Sequence, residues 1–130
     1  MTRITEPPRL TGVLKHEEDP SYCREEVTVL AGSGAERVLA LGTVLGRITA
    51  SGKVVALDLA GNDGSEVPYG VLLTNTTAPD GEDVAAVALV RGPAIVSDLG
   101  LIHPAGATPV QKSAIQAALA ACGILVRPGV

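Results

Sequence analysis

Val38–Thr49 reads VLALGTVLGRIT, Lys53–Leu59 reads KVVALDL, Tyr69–Asn75 reads YGVLLTN and Asp83–Val96 reads DVAAVALVRGPAIV. Each is a Val- and Leu-rich run of strand length closed by a Gly, Asp, Asn or Pro cluster, and that punctuation predicts a compact β-rich body. Ala50-Ser51-Gly52 separates the first two runs as a three-residue hairpin loop, with Gly at the position that favours a left-handed backbone. Gly42 and Gly46 mark a bulge or a close backbone approach. In the second run Val55, Leu57 and Leu59 share one face while Val54, Ala56 and Asp58 share the other, as in a sheet packed mainly on one side. Val84–Arg91 is apolar on both faces and is expected at the centre of the sheet.

On the C-terminal side, Gly92-Pro93 bends the chain into Ala94–Ser97, and Asp98–Pro104 reads as a loop. Thr108-Pro109-Val110-Gln111 then has an N-cap residue, Pro at the first helical position and Gln three residues after the cap. Gly123 sits where a left-handed C-terminal cap belongs. One helix is therefore predicted from Pro109 to Cys122, with Ile115, Ala118, Leu119 and Cys122 as its apolar stripe. Ile124-Leu125-Val126 returns as a short strand before Pro128.

On the N-terminal side, Val27–Leu30 is a short β-type run followed by the break Ala31–Ala35. Before it, residues 1–26 carry Pro7, Pro8, Pro20 and the charge run Lys15-His16-Glu17-Glu18-Asp19, with few apolar residues. Such a composition buries too little surface to offset its ordering entropy, so it reads as a flexible arm ahead of a β-rich domain at 27–130.

At 130 residues the chain fits one domain able to bury a core without metal or disulfide staples. Its 46% apolar fraction comes almost wholly from Ala, Val, Leu and Ile, since Phe and Trp are absent and Tyr22 and Tyr69 are the only aromatic residues. Small aliphatic side chains build thin layers, so a small core completed by subunit contacts is expected. A net charge of −4 and the lack of stacking platforms argue against direct nucleic-acid binding. No apolar run approaches the roughly 20 residues that span a bilayer, and MTRITEPPRL lacks the apolar centre of a signal peptide. A cytosol-like compartment is expected, with Cys23 and Cys122 as free thiols.

No residue set stands out as catalytic. His16, Glu17, Glu18, Asp19 and Cys23 are metal-ligand types without the paired spacing that holds a tetrahedral ion, and read as a solvated charge run. Gly32-Ser33-Gly34 lacks the third Gly and the following helix of a dinucleotide cradle. Ser65 and Ser97 lie in no nucleophile elbow, and His103, between Ile102 and Pro104, reads as a loop packing residue. Lys53 follows a hairpin Gly, but the neighbours of a lipoylated lysine are missing. Asp58, Asp63, Glu66, Asp80, Glu82 and Asp83 read as turn and solvation residues, and would form an acid–base pair only if two entered one cleft.

Read together, Arg24-Glu25-Glu26-Val27-Thr28-Val29, the Gly-rich break, Leu41–Thr49 (LGTVLGRIT), Tyr69-Gly70-Val71-Leu72, Val84–Arg91, Gly92–Val96 and Gly123-Ile124-Leu125-Val126 follow an order that resembles the bacteriophage head decoration protein D family. The similarity runs from about Arg24 to Val126; the Ala-rich late helix and Glu36–Ala40 depart from the family pattern. The resemblance implies a mainly β, α+β single domain with one late helix and a flexible N-terminal arm, trimeric. It further implies a capsid decoration protein, not an enzyme, that binds the major capsid protein of the expanded head at local three-fold sites and reinforces it against packaged DNA. Its arm adds extended backbone to coat-protein strands, and Arg24, Glu25, Glu26, Val27 and Thr28 are the candidate capsid-binding residues. No cofactor or metal, no direct nucleic-acid contact and no membrane are expected. The location would be the outer surface of the virion capsid after synthesis in the host cytoplasm. The alternative is a small β-barrel enzyme or ligand-binding domain using the carboxylates of the 58–66 loop.

Overall fold

The computed structural model describes residues 10–128. In chain order the elements are α1 (Leu10–Val13), β1 (Leu14–Glu17), α2 (Pro20–Cys23), β2 (Arg24–Val29), β3 (Arg37–Leu39), β4 (Val44–Arg47), β5 (Val54–Ala56), β6 (Pro68–Leu72), β7 (Thr76–Ala78), β8 (Val84–Leu89), β9 (Ala94–Ser97), α3 (Pro109–Ala121) and β10 (Ile124–Arg127). The molecule is mainly β, at 39% strand and 17% helix, with one late helix, as expected. Five strands close into a barrel in the order β2-β5-β4-β6-β8; β1, β9 and β10 form a second sheet, and β3 and β7 a two-stranded ribbon.

The small side chains explain the narrow barrel. Val27, Val29, Leu45, Val54, Leu72, Ala86, Ala88 and Val90 fill its interior. On the other side of the barrel wall, Val44, Val71 and Leu89 join Val13, Cys23, Val96, Ile115, Leu119 and Ile124 in a second core beneath α3. β8 lies between β2 and β6 and contributes to both: Ala86 and Ala88 face the barrel interior, Val87 and Leu89 the second core. This is the central, two-sided strand that the sequence predicts. β5 departs from expectation. It covers only Val54–Ala56, and Val54 and Val55 are both buried, because the barrel interior takes one face and packing outside the barrel takes the other.

The hairpin before β5 forms as read, with Gly52 N–H donating to Ile48 O at 2.7 Å and Ile48 N–H to Lys53 O at 2.8 Å. At Gly46 the β4–β6 register slips, and a Cβ there would lie 2.1 Å from Ser65 O; only Gly admits the crossing. At α3, Thr108 Oγ1 accepts from Gln111 N–H at 3.2 Å and Gln111 Oε1 accepts from Thr108 N–H at 2.9 Å, the predicted capping box. Gly123, at φ +87°, follows the helix. Ile115 and Leu119 are buried, whereas Cys122 is exposed at the C-cap, so the apolar stripe ends a turn earlier than the periodicity suggests. Cys23 and Cys122 are free thiols.

The N-terminal division at residue 26 differs from expectation. Residues Leu10–Glu26 lie against the body: β1 pairs antiparallel with β9 through Leu14↔Val96, His16↔Ile95 and Glu17↔Ala94. Val13 and Cys23 are 2% and 0% exposed, and β2 runs straight through the expected boundary. The apolar residues are few, but each fills a place in the second core. Pro20 does not break the chain; it opens α2, whose N-cap is Asp19. The portion of the expected arm at residues 1–9 lies outside the described residues.

Candidate partner-binding surface

The five residues singled out by the sequence, Arg24, Glu25, Glu26, Val27 and Thr28, all fall on β2. One edge of β2 is fully paired with β8, from Arg24↔Leu89 to Val29↔Val84. Val90 N–H donates to Cys23 O at 3.0 Å, which continues that register and assigns the hydrogen-bonded pairs to the odd-numbered residues of β2. The peptide groups of Arg24, Glu26 and Thr28 therefore turn to the opposite edge. That edge meets β5 at a single pair, Val29↔Val54, closed by Leu30 N–H donating to Val54 O at 3.0 Å. The Arg24 N–H on this edge donates to Pro20 O, closing the end of α2; from the Arg24 carbonyl through Glu26 to the Thr28 N–H, no described strand pairs with it. β2 thus joins the barrel along one side and keeps a short row of donors and acceptors on the other.

Side chains divide by parity. Val27 and Val29 enter the barrel, while Glu26 and Thr28 are exposed. Arg24 Nε donates to both carboxylate oxygens of Glu17 at 3.0 Å, which ties β2 to β1. Glu25 accepts from Arg91 Nη2 at 2.7 Å and from the Tyr69 hydroxyl at 3.4 Å. The Arg91 hydrogen bond holds the Glu25 carboxyl below its ordinary range. Tyr69 is pushed up, first by burial and then by the Glu25 charge.

Sequence reasoning passed over the neighbours of Glu25. The Arg91 guanidinium lies 5.1 Å over the Tyr22 ring and that of Arg47 5.3 Å over the Tyr69 ring. Tyr22 is 58% exposed and Val67, beside Tyr69, 59% exposed. Arg47, Thr49, Gly64, Val67, Pro68 and Tyr69 line an open cavity of about 390 Å³. The signal was present: the chain's only two aromatic residues meet Arg47 at the end of β4 and Arg91 just beyond β8, a composition favoured at protein contacts.

The other candidates do not converge. In the 58–66 loop, Asp58 accepts from Ala60 N–H at 3.0 Å, Asp63 from Ser65 N–H at 3.1 Å and Glu66 from Gly64 N–H at 2.9 Å. The Ser65 hydroxyl also donates to Asp63 and holds its carboxyl low, the opposite of a poised general acid. Asp80 accepts from Gly34 N–H at 2.9 Å, fixing the Gly32–Gly34 turn. Asp83 pairs with Lys53 at 2.7 Å. Ser65 and Ser97 are buried. His103 lines a cavity of about 510 Å³ with Thr43, Asp58, Leu59, Ile102 and Gln111. Its buried Nε2 has no hydrogen-bond partner among the described residues, and burial, then the Lys112 charge, lower its pKa. Of the N-terminal set, Glu17 is paired with Arg24, Asp19 caps α2, His16 lies 3.5 Å from Glu18 and Cys23 is in the core. Among the described residues no group of three His, Cys, Asp or Glu is placed to hold a metal ion, and no helix is long and apolar enough to cross a membrane.

A family model described as bacteriophage lambda head decoration protein D matches residues 3–124 of the 130-residue chain. The matched span contains every described element up to the first residue of β10. No curated protein matches the chain.

Proposed function

The chain belongs to the bacteriophage lambda head decoration protein D family, and from that premise we propose that it binds the expanded phage capsid as trimers at local three-fold positions. There it reinforces the shell against the pressure of packaged DNA. Membership itself makes the chain a phage head decoration protein, a structural component of the virion. The finer reading places it on the outer capsid surface after synthesis in the host cytoplasm, with the major capsid protein as partner, no direct contact with DNA and no catalytic role.

The observation that carries this reading is the family match across residues 3–124. Two physical features support it. The open edge of β2 offers backbone groups to an extended partner strand at Arg24–Thr28, the geometry of β-augmentation. A net charge of −4 disfavours phosphate contacts. The capsid contact comes from the N-terminal part of the chain: residues 1–9 together with Arg24, Glu25, Glu26, Val27 and Thr28. Co-sedimentation with expanded and unexpanded heads tests this. Saturable binding to expanded heads, at three copies per local three-fold position, is expected. Equal binding to both forms, or to neither, overturns it.

A further inference from the structure

Among the described arginines, Arg24 donates to Glu17, Arg37 to Leu30 O and Arg91 to Glu25 and Tyr22 O. Arg47 differs. Its guanidinium lies over the Tyr69 ring and donates to no oxygen among the described residues. It ends β4 opposite Val54, and Val54 is the residue at which β5 meets β2. Arg47 therefore stands where the edge of β2 opens, near enough to Glu25 for its charge to act on that carboxyl. Beside it, Val67 and Tyr69 line the cavity of about 390 Å³.

We propose that this junction is a specificity site for an extended segment of the coat protein, which carries one carboxylate for Arg47 and an apolar side chain for the cavity at Val67 and Tyr69. The inference rests on the decoration reading and deepens it. The unpaired backbone groups of this edge, the Arg24 carbonyl, both peptide groups of Glu26 and the Thr28 N–H, select an extended occupant rather than a helix, whose backbone groups are already bonded to one another. A strand laid there withdraws water from Arg47, and a covered guanidinium requires an acceptor; a carboxylate matches its planar fork in a bidentate pair. Glu25 and Glu26 flank the edge, so the site takes a single carboxylate and repels both an acidic run and a phosphate backbone. Arg47 is a recognition residue here, and its pairing sets partner choice more than fold stability.

The test uses the full-length protein and expanded heads of its own phage. Arg47→Ala is expected to weaken binding by about tenfold or more, with Arg47→Lys between it and the parent, since an ammonium retains the charge but not the fork. Glu26→Pro removes an open-edge N–H without loss of a bond to β8 and is expected to weaken binding similarly. Thermal melts restrict the comparison to folded variants. A photo-crosslinking residue in place of Thr28 is expected to capture a coat segment containing Asp or Glu. If the parent protein binds no heads, the decoration reading itself fails. If the parent binds and the folded Arg47→Ala and Glu26→Pro variants bind equally well, the site is overturned while decoration stands. The site is also overturned if the captured segment carries no carboxylate, or if Arg47→Ala changes only the oligomeric mass.

Discussion

α3 covers the barrel wall from outside and β2 is one of its strands, and the two elements leave their backbones in different states. The first turn of α3 is closed by its own Thr108–Gln111 capping box, Gly123 ends it in a left-handed turn, and Ile115 and Leu119 fill the core below. β2 is fully paired along β8 but meets β5 at one residue pair only. One element satisfies its own backbone and contributes stability; the other contributes stability along one edge and leaves the second edge open to a partner. Changes to α3 should therefore move folding and leave head binding per folded molecule alone. Changes at the open edge should do the reverse.

The largest expected effect comes from deleting residues 1–26. That removes Val13 and Cys23 from the core together with half of β2, against a total stability on the order of 5–15 kcal/mol, so circular dichroism should find the product unfolded. Deleting residues 1–9 instead spares every described core residue and should reduce head binding while the melt remains cooperative. A cooperative fold after the longer deletion would break the contrast. Next, Leu119→Ala should cost about 2–5 kcal/mol in chemical denaturation, with unchanged head binding per folded molecule. Thr108→Ala should cost about 0.5–2 kcal/mol by loss of the cap. Gly123→Val should exceed it, because the residue has φ +87° and a Cβ there would lie 3.1 Å from Gly92 backbone.

Smaller still is the pH effect at His103, where burial and the Lys112 charge depress the imidazole pKa, opposed by Asp98. Well above pH 6.5 the imidazole is neutral in both folded and unfolded chains and contributes nothing. As pH falls from there through the lower folded value, the unfolded chain takes the proton first and stability declines. Melting curves between pH 7.5 and about 5 should show that decline, and His103→Gln should reduce it. At the bottom of the scale, Asp58→Ala and Glu66→Ala should leave head binding intact, since both carboxylates serve local turns. Loss of head binding or of a substrate-dependent activity in either would favour the alternative ligand-binding reading.

The same contrast explains what the sequence disclosed. α3 was legible because its signals are local: cap, Pro109, Gln111 and Gly123 lie within the helix and its flanks. The hairpin at Ala50–Gly52 and the crossing at Gly46 were legible for that reason too. Residues 10–26 were not, because their structure depends on distant partners. Cys23 is buried by a core assembled from β6, β8, β9 and α3, and the apparent charge run is divided between the Glu17–Arg24 pair and the Asp19 cap. At the candidate site, Arg24–Thr28 was read from family resemblance, and the structure brings all five residues to one strand. Arg47, Tyr69, Arg91 and Tyr22 escaped notice because they are spread from 22 to 91 along the chain and meet only when the barrel closes.

Hydrogen exchange on the protein free and bound to expanded heads tests the central claim most directly. The amides of Glu26 and Thr28 face the open edge of β2, so they should exchange rapidly in the free protein and slow by at least an order of magnitude on heads, with α3 unchanged. Protection confined to α3, or no added protection on β2 in head-bound protein, would contradict the account.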